Sequence, residues 1–306
     1  MWSNRTVGVA ELENYQHSFL TQPPHTVRML SPTRYRPYFS YKLWADSEPA
    51  FNLEAFHCPM QRGFRRVRNR EPIVKALIAT DSTAQAIGHL AQRGVYEFHA
   101  DPQLLDRSDG ARLVADLLQV QQLEPEIAAR VTRILERYHD RPILKGKQIL
   151  QLERGDEELP KPLPLKLQRK EFDFYAVMDC VYIEPDGTIH ILDFKTGTSK
   201  FDRRQAYTYL LAAKYLYPEQ PAVASFYNLE SQQSSSIITA SPARLQGLEM
   251  LVVKIAQRLA DDSNHYHHNR SAFNLIFRPN PGTQCQHCSF SPICDYTEHL
   301  EHDSIH

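Results

Sequence analysis

The stretch Thr188 to Lys200, TIHILDFKTGTSK, alternates apolar residues like a buried strand, yet it carries Asp193 and Lys195 two positions apart before a glycine turn. A strand puts residues i and i+2 on one face, so these opposite charges share a side. The run before it, EFDFYAVMDCVYI from Glu171 to Ile183, is aromatic and β-branched as strands are. Between them, Pro185-Asp186-Gly187 fits a three-residue hairpin loop, with proline preset for the first turn position and glycine for the left-handed one. If Glu184 pairs with Thr188 across that loop, Asp179 stands directly opposite Asp193. Like charges facing each other in a ladder are destabilising. A divalent cation between the carboxylates relieves the repulsion, and two carboxylates with water suit Mg2+ or Mn2+. Lys195, one step along, can hold an anionic substrate or a water-derived nucleophile beside them. That is a constellation for phosphodiester hydrolysis. By itself, an aspartate two residues before a lysine also describes an ordinary ion pair at a strand end. The opposed Asp179 separates the two readings, and a slip of one residue in register would remove it.

A second group of chemically capable residues lies near the C-terminus. CQHCSFSPIC places Cys285, Cys288 and Cys294 close enough along the chain to wrap a metal or a cluster. A closed site needs a fourth ligand, for which Cys58 in FHCPMQRGFRR is the candidate. A zinc site using the same three cysteines with His287, His299 or Cys58 is the alternative. Cys180, beside Asp179 on the opposite strand face, reads as a small buried hydrophobe.

Several elements must position these groups. Residues 82–140 form a helical section. Ser82 and Thr83, with Asp81, are cap candidates for a helix carrying Ile87, Leu90, Val95 and Phe98 on one face. A second helix is expected from Gly110 to Gln122, with Leu113, Val114, Leu117 and Leu118 together, and a third from Pro125 through Tyr138. Gly155 to Lys166, with three prolines, reads as a loop. A helix from about Asp202 to Tyr217 stops at Pro218, the strand AVASFYNL follows, and Ser241-Pro242 opens a long helix. Residues 1–50, rich in Pro, Tyr and Arg, lack a period and are expected to be irregular with a strand or two.

LDFKTG, preceded by a strand ending in Asp179 and followed by a helix beginning RRQAYTYLLAAKYLY, resembles the PD-(D/E)XK nucleases of the RecB and AddB type, including CRISPR-associated RecB-like exonucleases. The resemblance covers roughly residues 50–296. It implies an α/β fold with a restriction-endonuclease-like mixed sheet flanked by helices and a helical insertion. It also implies that Asp179 and Asp193 bind the metal, that Lys195 serves the attacking hydroxide or the transition state, and that Gln205 and Tyr209 supply the Q-x-x-x-Y pair of the following helix. Positions i and i+4 share a helix face, so both can reach the site. His89, in QAIGHLAQRGVYEF, matches the family's earlier helical histidine, an additional metal ligand. Val177-Met178-Asp179 departs from the family in lacking the small residue usually found shortly before that aspartate. In the iron-sulfur form of the family one N-terminal and three C-terminal cysteines hold a 4Fe-4S cluster. Cys58, Cys285, Cys288 and Cys294 match that arrangement.

The implied activity is metal-dependent cleavage of DNA, single-stranded or at ends, in repair, recombination or defence, with helicase, repair or CRISPR proteins as partners. The competing expectation is a non-catalytic iron-sulfur or zinc protein that binds DNA within a larger complex. The expected organisation is an N-terminal segment over 1–50 and a nuclease domain over 51–300. Composition bounds these expectations. Among 306 residues, 35 Lys+Arg stand against 36 Asp+Glu, so any nucleic-acid binding must come from a local basic patch. QRGFRRVRNR, with Arg62, Arg65, Arg66, Arg68 and Arg70, is the densest such segment, fit either to track phosphates or to form a solvated helix face. NHYHH, with His265, His267 and His268, reads as an exposed polar loop. No P-loop pattern is present. No apolar run reaches the ~18 residues of a membrane span and no signal-peptide pattern opens the chain, so a cytoplasmic, membrane-free protein is expected. Five cysteines there argue against a disulfide framework.

Overall fold

A computed structural model describes residues 37–49, 57–67, 71–78, 82–155, 161–167, 169–198 and 201–297. These fall into two compact units, one drawn from Met1–Thr80 and Lys254–His306 and the other from Asp81–Val253. Of the N-terminal segment expected to be irregular, only residues 37–49 are described. They form a short strand, β1 (Tyr38–Ser40), and a helix, α1 (Tyr41–Ser47), capped by the Ser40 hydroxyl. Two further helices follow in this unit, α2 (Pro59–Val67) and α3 (Pro72–Ile78).

The second unit begins with the expected helical section: α4 (Thr83–Ala100), α5 (Gly110–Leu117) and α6 (Pro125–Asp140). Ser82 and Gln85 close a reciprocal capping box at the start of α4, a device that contributes about 1 kcal/mol. Ile87, Val95 and Phe98 are buried with Val131, Ile134, Leu135 and Tyr138. α5 is shorter than its periodicity predicts, because Gln119 adopts a left-handed conformation (φ 53°) and Val120 re-enters the core through a tighter turn. Leu117, expected on the core face, is 59% exposed as a result.

The strands are β2 (Gln148–Leu152), β3 (Leu163–Leu167), β4 (Lys170–Tyr175), β5 (Cys180–Ile183), β6 (Ile189–Lys195), β7 (Ala222–Asn228) and β8 (Gln233–Ser234), with α7 (Arg203–Leu216) between β6 and β7. The aromatic run from Glu171 to Ile183 is therefore two strands, not one. The end of the expected loop is β3, which pairs antiparallel with β4 from Leu163↔Phe174 to Leu167↔Lys170. A five-stranded sheet runs in the order β2-β5-β6-β7-β8, mixed because β6 and β7 are parallel and the other pairs antiparallel. This is the α/β architecture expected from the sequence.

Strand alternation gives the sheet two distinct faces. Cys180, Tyr182, Leu192 and Phe194 pack with the helical section, while Val181, Ile189 and Ile191 pack under Ala206, Tyr209, Leu210 and Ala213 of α7. Burial on both sides explains why β6 reads as nearly continuous apolar sequence. The long helix α8 (Pro242–His268) runs on through NHYHH, so the expected polar loop is its last helical turns. His265, His267 and His268 are exposed there as expected, and Tyr266 is buried. A 3-10 turn (Arg270–Ala272), a short helix, α9 (Phe273–Ile276), and two further 3-10 turns follow. Among the described residues, no helix is long and apolar enough to cross a membrane.

Candidate active site

The hairpin register is the one set by Pro185-Asp186-Gly187. Cys180 pairs with Leu192, Val181 with Ile191, Tyr182 with His190 and Ile183 with Ile189. The Glu184 N–H donates to the Thr188 carbonyl at 2.9 Å, and Gly187 takes the left-handed conformation (φ 86°). One step beyond the last pair, Asp179 approaches Asp193. Asp179 Oδ2 accepts the Phe194 N–H at 2.8 Å, tying the first carboxylate to the backbone of the strand that bears the second.

Asp193 is 1% exposed. Its Oδ1 accepts the Tyr209 hydroxyl at 2.6 Å and the Gln205 amide at 2.7 Å, and the Gln205 amide also donates to the Tyr209 oxygen at 2.6 Å. The i, i+4 spacing on α7 turns both side chains onto one carboxylate oxygen. The other oxygen, Oδ2, faces the Lys195 ammonium and is otherwise a buried acceptor without a hydrogen-bond donor. The Lys195 side chain is 27% exposed, so its charge reaches solvent as well as the acid.

The electrostatics follow from this crowding. Burial, then the neighbouring Asp193, push Asp179 well above the ordinary carboxylate range, against the opposing pull of Lys195 and the Phe194 N–H. Burial raises Asp193 too, opposed by Lys195 and Tyr209. Tyr209 is held far above its usual value by burial and by the two acids, so it remains a hydrogen-bond donor. Two acids held together at a cost, one of them turning an oxygen toward the ammonium of Lys195, form a donor set that fits a hard divalent cation.

His89 is placed differently. It is exposed on α4, in the helical layer, where its Nδ1 bonds to the Gly155 carbonyl at 2.9 Å. α4 does approach the end of β6, since a Cβ on Gly88 would stand 3.6 Å from Thr196 Oγ1. Among the described residues, no three His, Cys, Asp or Glu side chains are gathered closely enough to hold a metal ion, the cysteines named from the sequence included.

Within the other unit, Cys58, Cys288 and Cys294 line one apolar cluster with Met60, Phe64, Phe273, Phe277 and Phe290. Cys58 and Cys285 are near enough to Cys288 and Cys294 to act on them electrostatically. Burial raises the Cys288 thiol, and it pushes the Cys294 thiol to about 11, with Cys58 and Cys285 adding to both. Cys285 and Cys288 flank His287 on a 3-10 turn, and Gln61 of α2 donates to Cys288 Sγ at 3.8 Å. Cys180 is fully buried as expected, and burial raises its thiol to about 12. The basic segment is only partly free. Arg62 is 3% exposed and paired with Asp262 at 3.2 Å, Arg65 pairs with Asp46, and Arg66 bonds the Tyr38 hydroxyl. Arg68, Arg70 and His299 lie outside the described residues.

Three polar residues near the site went unnoticed in the sequence. Glu153 donates its N–H to the Asp179 carbonyl at 2.8 Å and places a third carboxylate near that acid. Asn228 and Glu230 hold the turn after Lys195. Their signal was positional, since YNLE ends a strand parallel to β6 and sites in α/β sheets gather at such carboxyl ends.

A family model for the PD-(D/E)XK nuclease superfamily matches residues 53–295. No curated protein sequence matches the chain. Four solved chains match by structure. One, the crystal structure of SSO0001, shares 13% identity over 68% of this chain and 84% of its own, with a TM-score of 0.27, a likeness too slight to argue from.

Proposed function

This chain belongs to the PD-(D/E)XK nuclease superfamily, and from that premise we propose that it is a metal-dependent DNA nuclease of the RecB and AddB type, acting on single strands or ends. Members of the superfamily are typically phosphodiester hydrolases and usually use Mg2+ or Mn2+. The observation that carries the reading is Asp193, a buried carboxylate with one oxygen fixed by Tyr209 and Gln205 and the other facing Lys195.

In this reading Asp179 and Asp193 hold the cation, with His89 as an additional ligand from α4. The cation, when bound, supplies Lewis acidity and a lowered pKa for attacking water. The chain's own groups do the rest. Tyr209 and Gln205 orient Asp193 by occupying Oδ1, which leaves Oδ2 for the reacting side. The Phe194 N–H fixes Asp179 in the same way. Lys195 presents a partly open ammonium where negative charge develops on the phosphate or the incoming hydroxide. Cys58, Cys285, Cys288 and Cys294 are assigned to a 4Fe-4S cluster, with zinc as the alternative, and residues 51–300 to one nuclease domain preceded by a segment, 1–50, to which no role is assigned. A place in repair, recombination or defence beside helicase or CRISPR proteins follows from the family resemblance.

The test is cleavage of end-labelled single- and double-stranded DNA with Mg2+ or Mn2+. Cleavage that stops on chelation supports the reading. Binding without cleavage under every metal condition overturns it in favour of a non-catalytic DNA-binding subunit.

A further inference from the structure

The turn after Lys195 is held chiefly by side chains. β6 and β7 pair in parallel as far as Lys195↔Asn228, and the Leu229 N–H donates to the Lys195 carbonyl at 2.8 Å. Beyond that point Gly197 adopts φ 75°, with open space where a side chain would lie. A glycine so placed has many alternative conformations, and something must select this one. Its N–H donates to Glu230 Oε1 at 2.8 Å, and its carbonyl accepts from Asn228 Nδ2 at 2.7 Å. Both backbone groups of one residue are thus bound by side chains from the far end of β7.

Those side chains are themselves fixed. Asn228 is 6% exposed, and its Oδ1 accepts the N–H groups of Glu230 and Ser231, each at 2.9 Å. Glu230 Oε1 also accepts from Arg130 at 2.7 Å, and the Glu230 carbonyl accepts from Arg137. Arg130 and Arg137 are two turns apart on α6, so one face of that helix grips the turn that grips Gly197.

We propose that Glu230 and Asn228 are positioning residues for cleavage: they fix the Gly197 turn, and with it the backbone from which Lys195 reaches Asp193 and the substrate, and Arg130 ties that turn to the helical section. The inference rests on the assignment of Asp193 and Lys195 as the reacting centre. Both residues act through the main chain. Their expected contribution is large because displacing a catalytic group by about 1 Å can cost about 100-fold in rate. An acceptor at Glu230 is what the Gly197 N–H needs. The negative charge there serves Arg130.

The experiment compares Glu230→Ala, Glu230→Gln, Arg130→Ala and Lys195→Ala in single-turnover DNA cleavage, with metal binding by calorimetry, thermal melts and amide exchange of Gly197. Glu230→Ala is expected to lower kcat by about 100-fold. KM for DNA and metal affinity should stay near wild type, and Gly197 exchange should speed up. Glu230→Gln keeps the acceptor and should recover most of the rate and the slow exchange, while Arg130→Ala should lose stability with a smaller loss of rate. If Glu230→Ala does not fold, Asn228→Asp carries the same test, because it keeps the acceptor for Glu230 and Ser231 and sets a carboxylate oxygen against the Gly197 carbonyl in place of the donor. An Arg130→Ala loss of rate equal to that of Glu230→Ala, or unchanged Gly197 exchange in Glu230→Ala, overturns the inference. Lys195→Ala inactive with Glu230→Ala at the wild-type rate overturns it alone. Lys195→Ala cutting at the wild-type rate overturns the reacting centre beneath it, whatever the exchange data show.

Discussion

The carboxylate site and the cysteine patch both gather residue types that bind inorganic ligands, but the chain builds them in opposite ways. Asp179, Asp193, Lys195, Gln205 and Tyr209 come from a hairpin and its crossover helix, neighbours in sequence, and ladder pairing and hydrogen bonds fix one oxygen of each carboxylate. Cys58 comes from just before α2, whereas Cys285, Cys288 and Cys294 sit in or at the ends of short 3-10 turns far along the chain, joined to it by apolar packing. In the first case the protein fixes the geometry before any ligand arrives. In the second, apolar packing brings the thiols near one another, and the centre proposed there would have to supply the final geometry. Chemistry on a substrate demands the first kind of construction, because rate depends on placement to a fraction of an ångström, while a structural centre tolerates the second.

The largest expected effect lies in the preorganised site. Lys195→Ala should lower cleavage ~100- to 1,000-fold while metal and DNA binding persist, since an ammonium acts chiefly on charge that develops in the transition state. Asp193→Ala should abolish cleavage and also weaken metal binding, read by calorimetry. Equal loss of metal affinity in both variants would erase the distinction between ligand and electrostatic donor.

Next in size is the ligand-dependent site. Purified without oxygen, the protein should be brown and contain iron, and Cys58→Ala or Cys285→Ala should lose the iron, the colour and much of the solubility. Stoichiometric zinc with no iron would replace the cluster by a tetrahedral thiolate site. Smaller again is Gly63→Ala, where a Cβ would stand 2.5 Å from the Phe277 ring in the packing beneath the cysteines. Overpacking of this kind costs about 1–3 kcal/mol. Metal content should fall along with the melting temperature, because this site leans on its apolar bed. No comparable fall is expected from surface changes such as Lys145→Ala, whose partner Asp106 is itself exposed.

The same contrast decides what could be read from sequence. The hairpin was legible because Pro185-Asp186-Gly187 fixes a loop length, and loop length fixes register; Gln205 and Tyr209 were legible because i, i+4 spacing is local. β3 was hidden because prolines at 160, 162 and 164 outweighed the alternation of Leu163, Leu165 and Leu167. The helix through His268 was hidden because a polar, histidine-rich end looks like a loop until Tyr266 is seen buried. Asn228 and Glu230 act across a parallel pairing, whose register is set by packing of α7 and by no local pattern. Arg62 counted as surface charge until its partner, Asp262, came to it from the far end of the chain.

Preorganisation has a cost, and pH exposes it. Burial and mutual repulsion raise Asp179 in the folded protein above the carboxylate value of about 3.9 that an unfolded chain shows. A group whose folded pKa is raised binds its proton more tightly in the native state. Its stabilising contribution is therefore complete below the unfolded value and disappears as pH rises through the folded one. At neutral pH without a cation, the pair should weigh against folding. Asp179→Asn keeps an acceptor for the Phe194 N–H and removes the charge, so in chelator it should be more stable than wild type at pH 8. That advantage should shrink as pH falls toward 4, where the wild-type acid is neutral too. Mg2+ or Mn2+ should raise the wild-type midpoint in urea more than that of Asp179→Asn, since ligand binding to the native state stabilises by mass action. An Asp179→Asn protein less stable than wild type at pH 8 in chelator would mean that the carboxylate is a net stabilising element. The site would then resemble a structural ion pair, and its contrast with the cysteine patch would be one of sequence distance alone.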